Sequence, residues 1–283
     1  MNVSTLDELA HAHRPPQFGL LDRLVDMFEN SAAVTHLLVR GSLAAGNADR
    51  LSDVDLVIGV RGSQFASLAA VHDVLMQTEL GSVLPGWRDR IVGDMGGVGF
   101  VHLVPWQGRL QQVDLYLAPS IRMDRLQALT RARAVLARPG EWHEDAVQQY
   151  EPDRDPSTRD LLVEVLVVGY MIRKRIRRDQ HYIAYAEMHM LATAAKDLVK
   201  AALAPDSRFY GWYRLDEEIG ITPLGRACLR DLRALVDGPA LPTRESLDRS
   251  IALVIAIATR AAPEAVEALQ PALDIYWDNP VRV

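Results

Sequence analysis

Two aspartates stand one residue apart in an apolar stretch of the first half of the chain. Asp53 and Asp55 lie in the segment SDVDLVIGV, whose Val, Leu and Ile content predicts a buried strand over 54–60. Alternate residues of a strand point to the same face, so both carboxylates emerge together while the intervening apolar side chains enter the core. Two such carboxylates repel each other unless a cation lies between them. Carboxylate oxygens with no nearby thiol or imidazole suit Mg²⁺, and the pair therefore predicts a magnesium site.

A glycine–serine turn precedes these acids. Gly41 and Ser42 end an apolar stretch near 34–40, and ten residues separate Ser42 from Asp53. Glycine lets the backbone approach a ligand closely, and a Gly-Ser turn presents N–H groups and a hydroxyl to phosphate oxygens. A phosphate-binding turn followed by a Mg²⁺ site predicts that a metal-bound nucleoside triphosphate binds here. The spacing leaves open which phosphorus atom is attacked.

A third acid repeats the arrangement later in the chain. Asp114 lies between Val113 and Leu115 in RLQQVDLYLAPS, where apolar residues alternate with polar ones. If this strand neighbours the first, three acids converge at one end of the sheet. Asp94, in GDMGGVG, is the rival third acid, although its glycine-rich surroundings favour a turn. That glycine run is no dinucleotide fingerprint, because a strand follows it rather than a helix.

The elements that must position these residues divide the chain into two parts. Periodicity predicts helices over 17–30 and 64–80, strands near 34–40 and over 54–60, and a strand-prone region over 81–118. After residue 120 the strand signals stop, and IRMDRLQALTRARAVLA is predicted as a helix. Ser157-Thr-Arg-Asp160 resembles a capping box that opens a run of helices. We therefore expect an α/β (α+β) protein with an N-terminal mixed-sheet domain, 1–135, and a C-terminal helical bundle, 155–283.

The segment RGSLAAGNADRLSDVDLVIGV resembles the signature of the polymerase-β-like nucleotidyltransferase superfamily. That signature is an apolar strand, Gly-Ser, about ten residues, and then Asp-hydrophobic-Asp-hydrophobic. The resemblance covers residues 34–60 and, more weakly, 110–118. A small leading domain with a helical partner is similar to the antibiotic nucleotidyltransferases that adenylylate aminoglycosides or lincosamides. The resemblance thus implies an adenylyltransferase connected with antibiotic resistance.

The resemblance also implies roles for individual residues. Gly41 and Ser42 would hold the triphosphate, and Asp53 and Asp55 would bind Mg²⁺. Asp114 would be the third metal ligand or the general base. The co-substrate would be ATP or another nucleoside triphosphate, and an acceptor hydroxyl would attack its α-phosphate in line and release pyrophosphate.

The helical half offers further candidates for the site. In some relatives the base comes from the helical domain, which makes Glu164 and Glu187 candidates, because each is a carboxylate in an otherwise apolar helix. Glu187 is the stronger of the two, although a buried Glu satisfied by an Arg is the commoner arrangement. Lys196 follows on the same predicted helix, and we assign it, with Arg40 before the glycine, to nucleotide binding.

Charge and composition limit the partners. The formal net charge of −6 disfavours nucleic acid and favours a small hydroxylated acceptor, such as an aminoglycoside-like polycation or a lincosamide, bound between the two domains. The longest apolar runs are too short to span a membrane. One cysteine, Cys228, fits a reducing cytoplasm.

Two other segments have open interpretations. The basic block RKRIRR, 173–178, is expected to be a solvated helix end, with contact to the triphosphate or to an RNA as the alternative. The aromatic segment RFYGWYR, 208–214, is expected to pack between helices, with stacking on a base or sugar as the alternative. The scattered histidines, among them His72 and His102, show no ligand spacing and are assigned no role.

Two functions of other classes compete with this hypothesis. A nucleotidyltransferase of the toxin–antitoxin type would modify a protein or RNA partner and would depend on the basic block. A degenerate fold retained as a binding module would have lost its acids, and all three acids are present here.

Overall fold

The computed structural model describes residues 15–91, 95–144, 147–148, 150 and 155–278, so Asp94 lies outside the described residues. The chain divides into two compact units, one with the described residues up to 150 and the other with those from 155 onward. The limits 1–135 and 155–283 stay a prediction. Among the described helices, none has the length and apolar character needed to cross a membrane.

The first unit is built on one six-stranded mixed sheet in the order β3-β4-β5-β2-β1-β6. Its strands are β1 Val34–Val39, β2 Val54–Val60, β3 Trp87–Arg88, β4 Val98–Trp106, β5 Arg109–Pro119 and β6 Arg133–Ala137. β2 and β5 run parallel, and the other neighbouring pairs are antiparallel. Gln107 and Gly108 turn β4 into β5 with positive φ values of 50° and 74°, the conformation of a tight hairpin turn.

Helices cover the two faces of this sheet unequally. The helices of the first unit are α1 Phe18–Glu29, α2 Gly41–Ala45, α3 Phe65–Leu80 and α4 Met123–Thr130. α1 and α3 pack on one face, where their apolar residues form the main core with those of the strands. On the other face, Met123 and Leu126 of α4 pack against Val57 and Tyr116. Asp55 of β2 and Asp114 of β5 also lie on this second face. Each stands two residues before the residue of its strand that packs against α4.

The end of the first unit corrects one prediction. The segment RARAVLA was expected to continue a helix, but α4 ends at Thr130, Arg131 takes a positive φ of 54°, and β6 pairs antiparallel with β1. A short apolar run fits either a helix or a strand by periodicity alone. Hydrogen bonding to the otherwise open edge of β1 decides the conformation.

The second unit is helical, as the sequence predicts. Its helices are α5 Thr158–Arg177, α6 His181–Leu203, α7 Leu215–Ile219, α8 Pro223–Val236, α9 Arg244–Ala261 and α10 Pro263–Asp278. α5 packs against α6, α9 and α10. The predicted capping box is present, because the Ser157 side chain accepts a hydrogen bond from the Asp160 backbone N–H and the Asp160 carboxylate accepts one from the Ser157 backbone. The free cysteine, Cys228, is buried in this unit.

Candidate active site

The strand register brings two of the predicted acids face to face. Asp55 of β2 is the direct register partner of Asp114 of β5 in the parallel pair. Asp53 comes immediately before β2 and lies on the same face by strand alternation. The three acids therefore gather at one end of the sheet. The condition set at the sequence level, that the strand of Asp114 neighbours the strand of Asp55, is met.

The two facing carboxyl groups carry the electrostatic strain of the site. Burial raises the pKa of Asp114 to about 7, and the nearby negative charge of Asp55 adds to the shift. A hydrogen bond from Gln112 Nε2 to Asp114 Oδ1, 2.8 Å long, acts in the opposite direction. Burial also raises the pKa of Asp55, while Arg40, whose Nε lies 3.4 Å from Asp55 Oδ1, lowers it. Without a bound cation, the pair thus resists carrying two full negative charges near neutral pH.

These features fit a magnesium ion. The three side chains offer only carboxylate oxygens, which are the ligands that Mg²⁺ takes most readily. A divalent cation would relieve the repulsion that raises the pKa of Asp114. Asp53, Asp55 and Asp114 are the residues that would hold it.

The glycine of the predicted phosphate-binding turn lies directly against one of these acids. Gly41 has a φ of +66°, and a Cβ atom added to it would lie 2.3 Å from Asp55 Oδ2. The preceding Arg40 donates its backbone N–H to the carbonyl of Asp55 at 3.1 Å. Gly41 also begins the short helix α2, whose first N–H groups have no partner within the helix. A glycine is required here by both the backbone conformation and the close approach.

Ser42 follows in α2 and is half-buried. The structure thus places Arg40 and Gly41 against Asp55, with Ser42 next in the chain. Their assignment to the triphosphate stays a prediction.

Two buried glutamines that the sequence did not mark, together with Ser52 of the motif, hold the loop before Asp53. The carbonyl of Ser52 accepts hydrogen bonds from Gln17 Nε2 at 2.9 Å and from Gln111 Nε2 at 2.7 Å. The Ser52 hydroxyl donates to Asp49 Oδ1 and accepts from the Asp49 backbone N–H, both at 2.9 Å. All three residues are nearly inaccessible to solvent. Because Asp53 is the next residue in the chain, this network fixes the backbone position from which the Asp53 side chain extends.

A further acid approaches the site from the edge of the sheet. Asp89 follows β3, and its charge is a minor cause of the raised pKa of Asp114. A Cβ added to Gly99 would lie 3.2 Å from the Cβ of Asp89, and Gly99 is the register partner of Tyr116, two residues beyond Asp114. The local sequence pattern points to Asp94 and not to Asp89, because only the pairing of β3 with β4 places Asp89 on this face.

The candidates in the helical unit have partners there. Glu187 is buried, and Arg175 Nε donates to its Oε1 at 3.1 Å. Burial raises the pKa of Glu187, and the charge and hydrogen bond of Arg175 oppose that shift. Lys196 is buried, pairs with Asp197 and lies 5.6 Å from the ring centre of Trp212. Their predicted roles, as base and as nucleotide ligand, stay predictions, and Glu164 is also buried.

Two expectations for the helical unit are wrong in part. In the basic block, Arg173 and Lys174 are buried rather than solvated, and Arg173 binds Asp248 through two nitrogens at 3.1 and 2.7 Å. In the aromatic segment, Phe209 and Tyr213 do not pack between helices, since each is almost four-fifths exposed. The helical spacing of a charged block does not reveal which of its members turns inward.

Comparison with known proteins gives structural likenesses only. No protein-family model matches the chain, and no curated protein matches its sequence. An aminoglycoside 6-adenyltransferase from Bacillus subtilis is 12% identical, with a TM-score of 0.30 over 93% of this chain and 99% of that one. The Thermotoga maritima CCA-adding enzyme, complexed with tRNA, is 14% identical, with a TM-score of 0.30 over 100% and 83%. Both are nucleotidyltransferases, but likeness at this level carries no argument about activity here.

The electrostatic strain predicts a stabilising substitution. Because the pKa of Asp114 in the folded protein, about 7, exceeds its unfolded value near 3.9, the folded state binds more protons and stability falls as pH rises between those values. In metal-free protein at about pH 8, Asp114→Asn should raise the free energy of unfolding by at least about 1 kcal/mol, since one pKa unit corresponds to about 1.4 kcal/mol. Urea denaturation at about pH 5 and about pH 8 measures this.

Asp26→Asn, on the exposed side of α1, is the matched control and should follow the wild type at both pH values. If the stability of Asp114→Asn changed with pH as much as that of the wild type, the raised pKa of Asp114 would be refuted.

The loop network predicts a second effect. Gln111→Leu removes one of the two side-chain donors to the Ser52 carbonyl, which should cost about 1–3 kcal/mol of unfolding free energy, as expected for a buried acceptor that loses a partner. It should also weaken binding of Mg²⁺-ATP, because the backbone next to Asp53 is held less firmly. Urea denaturation and calorimetric titration measure the two effects. Gln77→Leu on the exposed side of α3 is the control, and stability and affinity equal to that control would contradict the prediction.

Proposed function

We propose that this chain is a Mg²⁺-dependent nucleotidyltransferase that moves a nucleoside monophosphate, AMP from ATP, to a hydroxyl group of a small molecule and releases pyrophosphate. The observation that carries the proposal is the direct pairing of Asp55 and Asp114 on neighbouring parallel strands, with Gly41 against Asp55. A half-buried pair of facing acids is costly for a fold that gains nothing from it. Its persistence is explained if a divalent cation bound to a nucleotide occupies the site.

The residues of the site divide the chemistry between them. Asp53, Asp55 and Asp114 would hold Mg²⁺, which when bound would neutralise charge on the phosphate oxygens. Arg40, the residue after β1, partly balances the charge of Asp55 through its guanidinium group. Gly41 and Ser42, at the start of α2, would contribute backbone N–H groups and a hydroxyl to the phosphates. The Ser52 network keeps the loop before Asp53 in place while the ligand enters.

A base must accept the proton of the attacking hydroxyl. Without a cation the pKa of Asp114 is about 7, which suits a group that takes up a proton at neutral pH, and a bound cation would lower that pKa. Asp114 can therefore serve as the base, as a metal ligand, or as both in succession. Glu187 is the other candidate, but its Oε1 already accepts a hydrogen bond from Arg175.

The acceptor that fits best is small, hydroxylated and cationic, of the aminoglycoside or lincosamide kind. The net charge of −6 and the additional acid Asp89 beside the site both favour a cation. A macromolecular acceptor, of the toxin–antitoxin kind, has less support. Arg173 and Lys174, two of the five cations on which RNA binding would depend, are buried.

The central test is the loss of turnover with the acids. Asp53→Asn and Asp55→Asn should each lower Mg²⁺-dependent pyrophosphate release by at least about 100-fold, as expected when a main electrostatic stabiliser of the transition state is lost. The assay combines ATP or GTP with a panel of hydroxylated antibiotics and detects the nucleotidylated product by mass. Asp26→Asn serves as the matched control and should keep wild-type turnover.

Turnover retained by Asp55→Asn would refute the proposed metal site. A product found only on a co-purified protein or RNA would transfer the function to the macromolecular class. Absence of any product, with ATP bound in a Mg²⁺-independent manner, would indicate a binding module.

The identity of the base is tested at Glu187. Glu187→Gln keeps an oxygen that can accept from Arg175, so we expect the fold and the affinity for Mg²⁺-ATP to be unchanged. If Asp114 is the base, the kcat of Glu187→Gln should fall less than about tenfold and should keep the pH dependence of the wild type. A loss of about 100-fold or more, the contribution typical of a general base, would assign that role to Glu187. The pH profile of kcat for both proteins distinguishes these outcomes.

A further inference from the structure

A second group of potential metal ligands lies on the face of the sheet opposite the three acids. His72 and Asp73 belong to α3, and His102 belongs to β4. His102 is the register partner of Val113, whereas its neighbour Val101 is the partner of Asp114. Since successive residues of a strand point to opposite faces, His102 faces α3 and the main core. This group is therefore separate from the proposed nucleotide site.

The three side chains converge on one point. His72 Nε2 lies 3.2 Å and His102 Nε2 lies 3.9 Å from the same oxygen, Asp73 Oδ1. All three ligand atoms lie within 4.8 Å of one another. The two imidazoles are buried, with 3% and 0% of their surface exposed, whereas the Asp73 side chain is 36% exposed. The ring of His72 packs on Phe100, with 3.7 Å between the ring centres, which fixes its orientation.

Hydrogen bonds to the other ring nitrogens determine which atoms carry protons. His72 Nδ1 lies 2.7 Å from the carbonyl oxygen of Ala69, which can only accept, so Nδ1 is the protonated nitrogen. His102 Nδ1 lies 3.4 Å from Ser82 Oγ, whose own hydroxyl donates to the carbonyl of Leu84 at 2.8 Å. When the two rings are neutral, the lone pair of each is therefore on Nε2. His72 Nε2 faces Asp73 Oδ1, and among the described residues His102 Nε2 has no hydrogen-bond partner.

The backbone keeps the centre of this group open. Gly86 donates its N–H to Asp73 Oδ1 at 2.7 Å, and a Cβ added to it would lie 2.7 Å from His102 Nε2 and 2.9 Å from Asp73 Oδ1. Any larger residue at position 86 would thus occupy the space between the ligands. Two imidazole lone pairs directed at a carboxylate repel it, and a cation among them removes the repulsion.

We propose that His72, Asp73 and His102 form a zinc site that ties α3 to β4. Two imidazole nitrogens and one carboxylate are a ligand set typical of Zn²⁺. The carbonyl and hydroxyl partners of the two Nδ1 atoms are the outer hydrogen bonds that orient zinc-binding histidines. The partly exposed side of Asp73 leaves a fourth position for water. A tetrahedral ion with bonds of about 2.0–2.1 Å holds its ligand atoms about 3.3–3.4 Å apart. His72 Nε2 and Asp73 Oδ1, 3.2 Å apart, are already near that spacing, and His102 Nε2, 3.9 Å from Asp73 Oδ1, must move closer.

Metal binding to the purified full-length chain tests the proposal. After treatment with EDTA, the protein is titrated with Zn²⁺ against a chromophoric chelator, in the presence of millimolar Mg²⁺ to occupy the carboxylate site. We expect one Zn²⁺ per chain, a higher Tm with Zn²⁺, and Co²⁺ absorption bands of tetrahedral intensity. No stoichiometric Zn²⁺ at micromolar concentration would overturn the proposal.

Variants assign the ion to this group of ligands. His102→Gln, Asp73→Asn and Gly86→Ala should each weaken Zn²⁺ binding by at least about 100-fold, because even the loss of an outer hydrogen bond to a ligand costs about 10- to 100-fold. Asp73 is partly exposed, so Asp73→Asn keeps the test valid if His102→Gln fails to fold. His36→Gln and Asp55→Asn should bind Zn²⁺ like the wild type. Equal affinity in Asp73→Asn, or loss of affinity in Asp55→Asn alone, would refute the site.

Discussion

Two carboxylates that face each other across parallel strands are the constraint on which the first unit depends. Asp55 and Asp114 are buried deeply enough that burial alone raises the pKa of each. Arg40 and Gln112 each compensate one of them only in part. The need to accommodate Asp55 also determines the residue beside it, since any Cβ at position 41 would collide with its carboxylate. The residue types near Asp55 are thus limited by its carboxylate, and a bound cation would relieve the repulsion between Asp55 and Asp114.

The sheet remains stable despite this repulsion because its two faces contribute differently to stability. The face under α1 and α3 is a continuous apolar core, and the burial of its side chains is the main source of stability. On the other face, α4 covers only the part around Val57 and Tyr116. The parallel pairing of β2 with β5 requires a long connection, through α3, β3 and β4, and that connection brings Asp114 to Asp55. The stable face therefore supports an end of the sheet that is destabilised by its own charges.

The sequence predicts those features that depend on local spacing. The shared face of Asp53 and Asp55 follows from the two-residue period of a strand, and the Ser157 capping box follows from its four-residue pattern. Features that depend on distant pairing are missed. Gln111 serves a carbonyl 59 residues away, and no local pattern marks a buried amide whose partner is backbone. The RAVLA segment becomes a strand only because β1 offers an open edge.

The two groups of possible metal ligands show how one strand can separate two kinds of chemistry. Val101 and His102 are adjacent in β4, but Val101 lies beside Asp114 on one face of the sheet and His102 faces α3 on the other. The group on the first face contains only carboxylates, which select a hard cation such as Mg²⁺, and the group on the second contains two imidazoles, which suit Zn²⁺. An ion at His102 would hold β4 against α3, and β4 pairs with β5 from Arg109 to Leu117. The proposed zinc site would therefore restrict the motion of β4 and, through β4, of β5, the strand that carries Asp114.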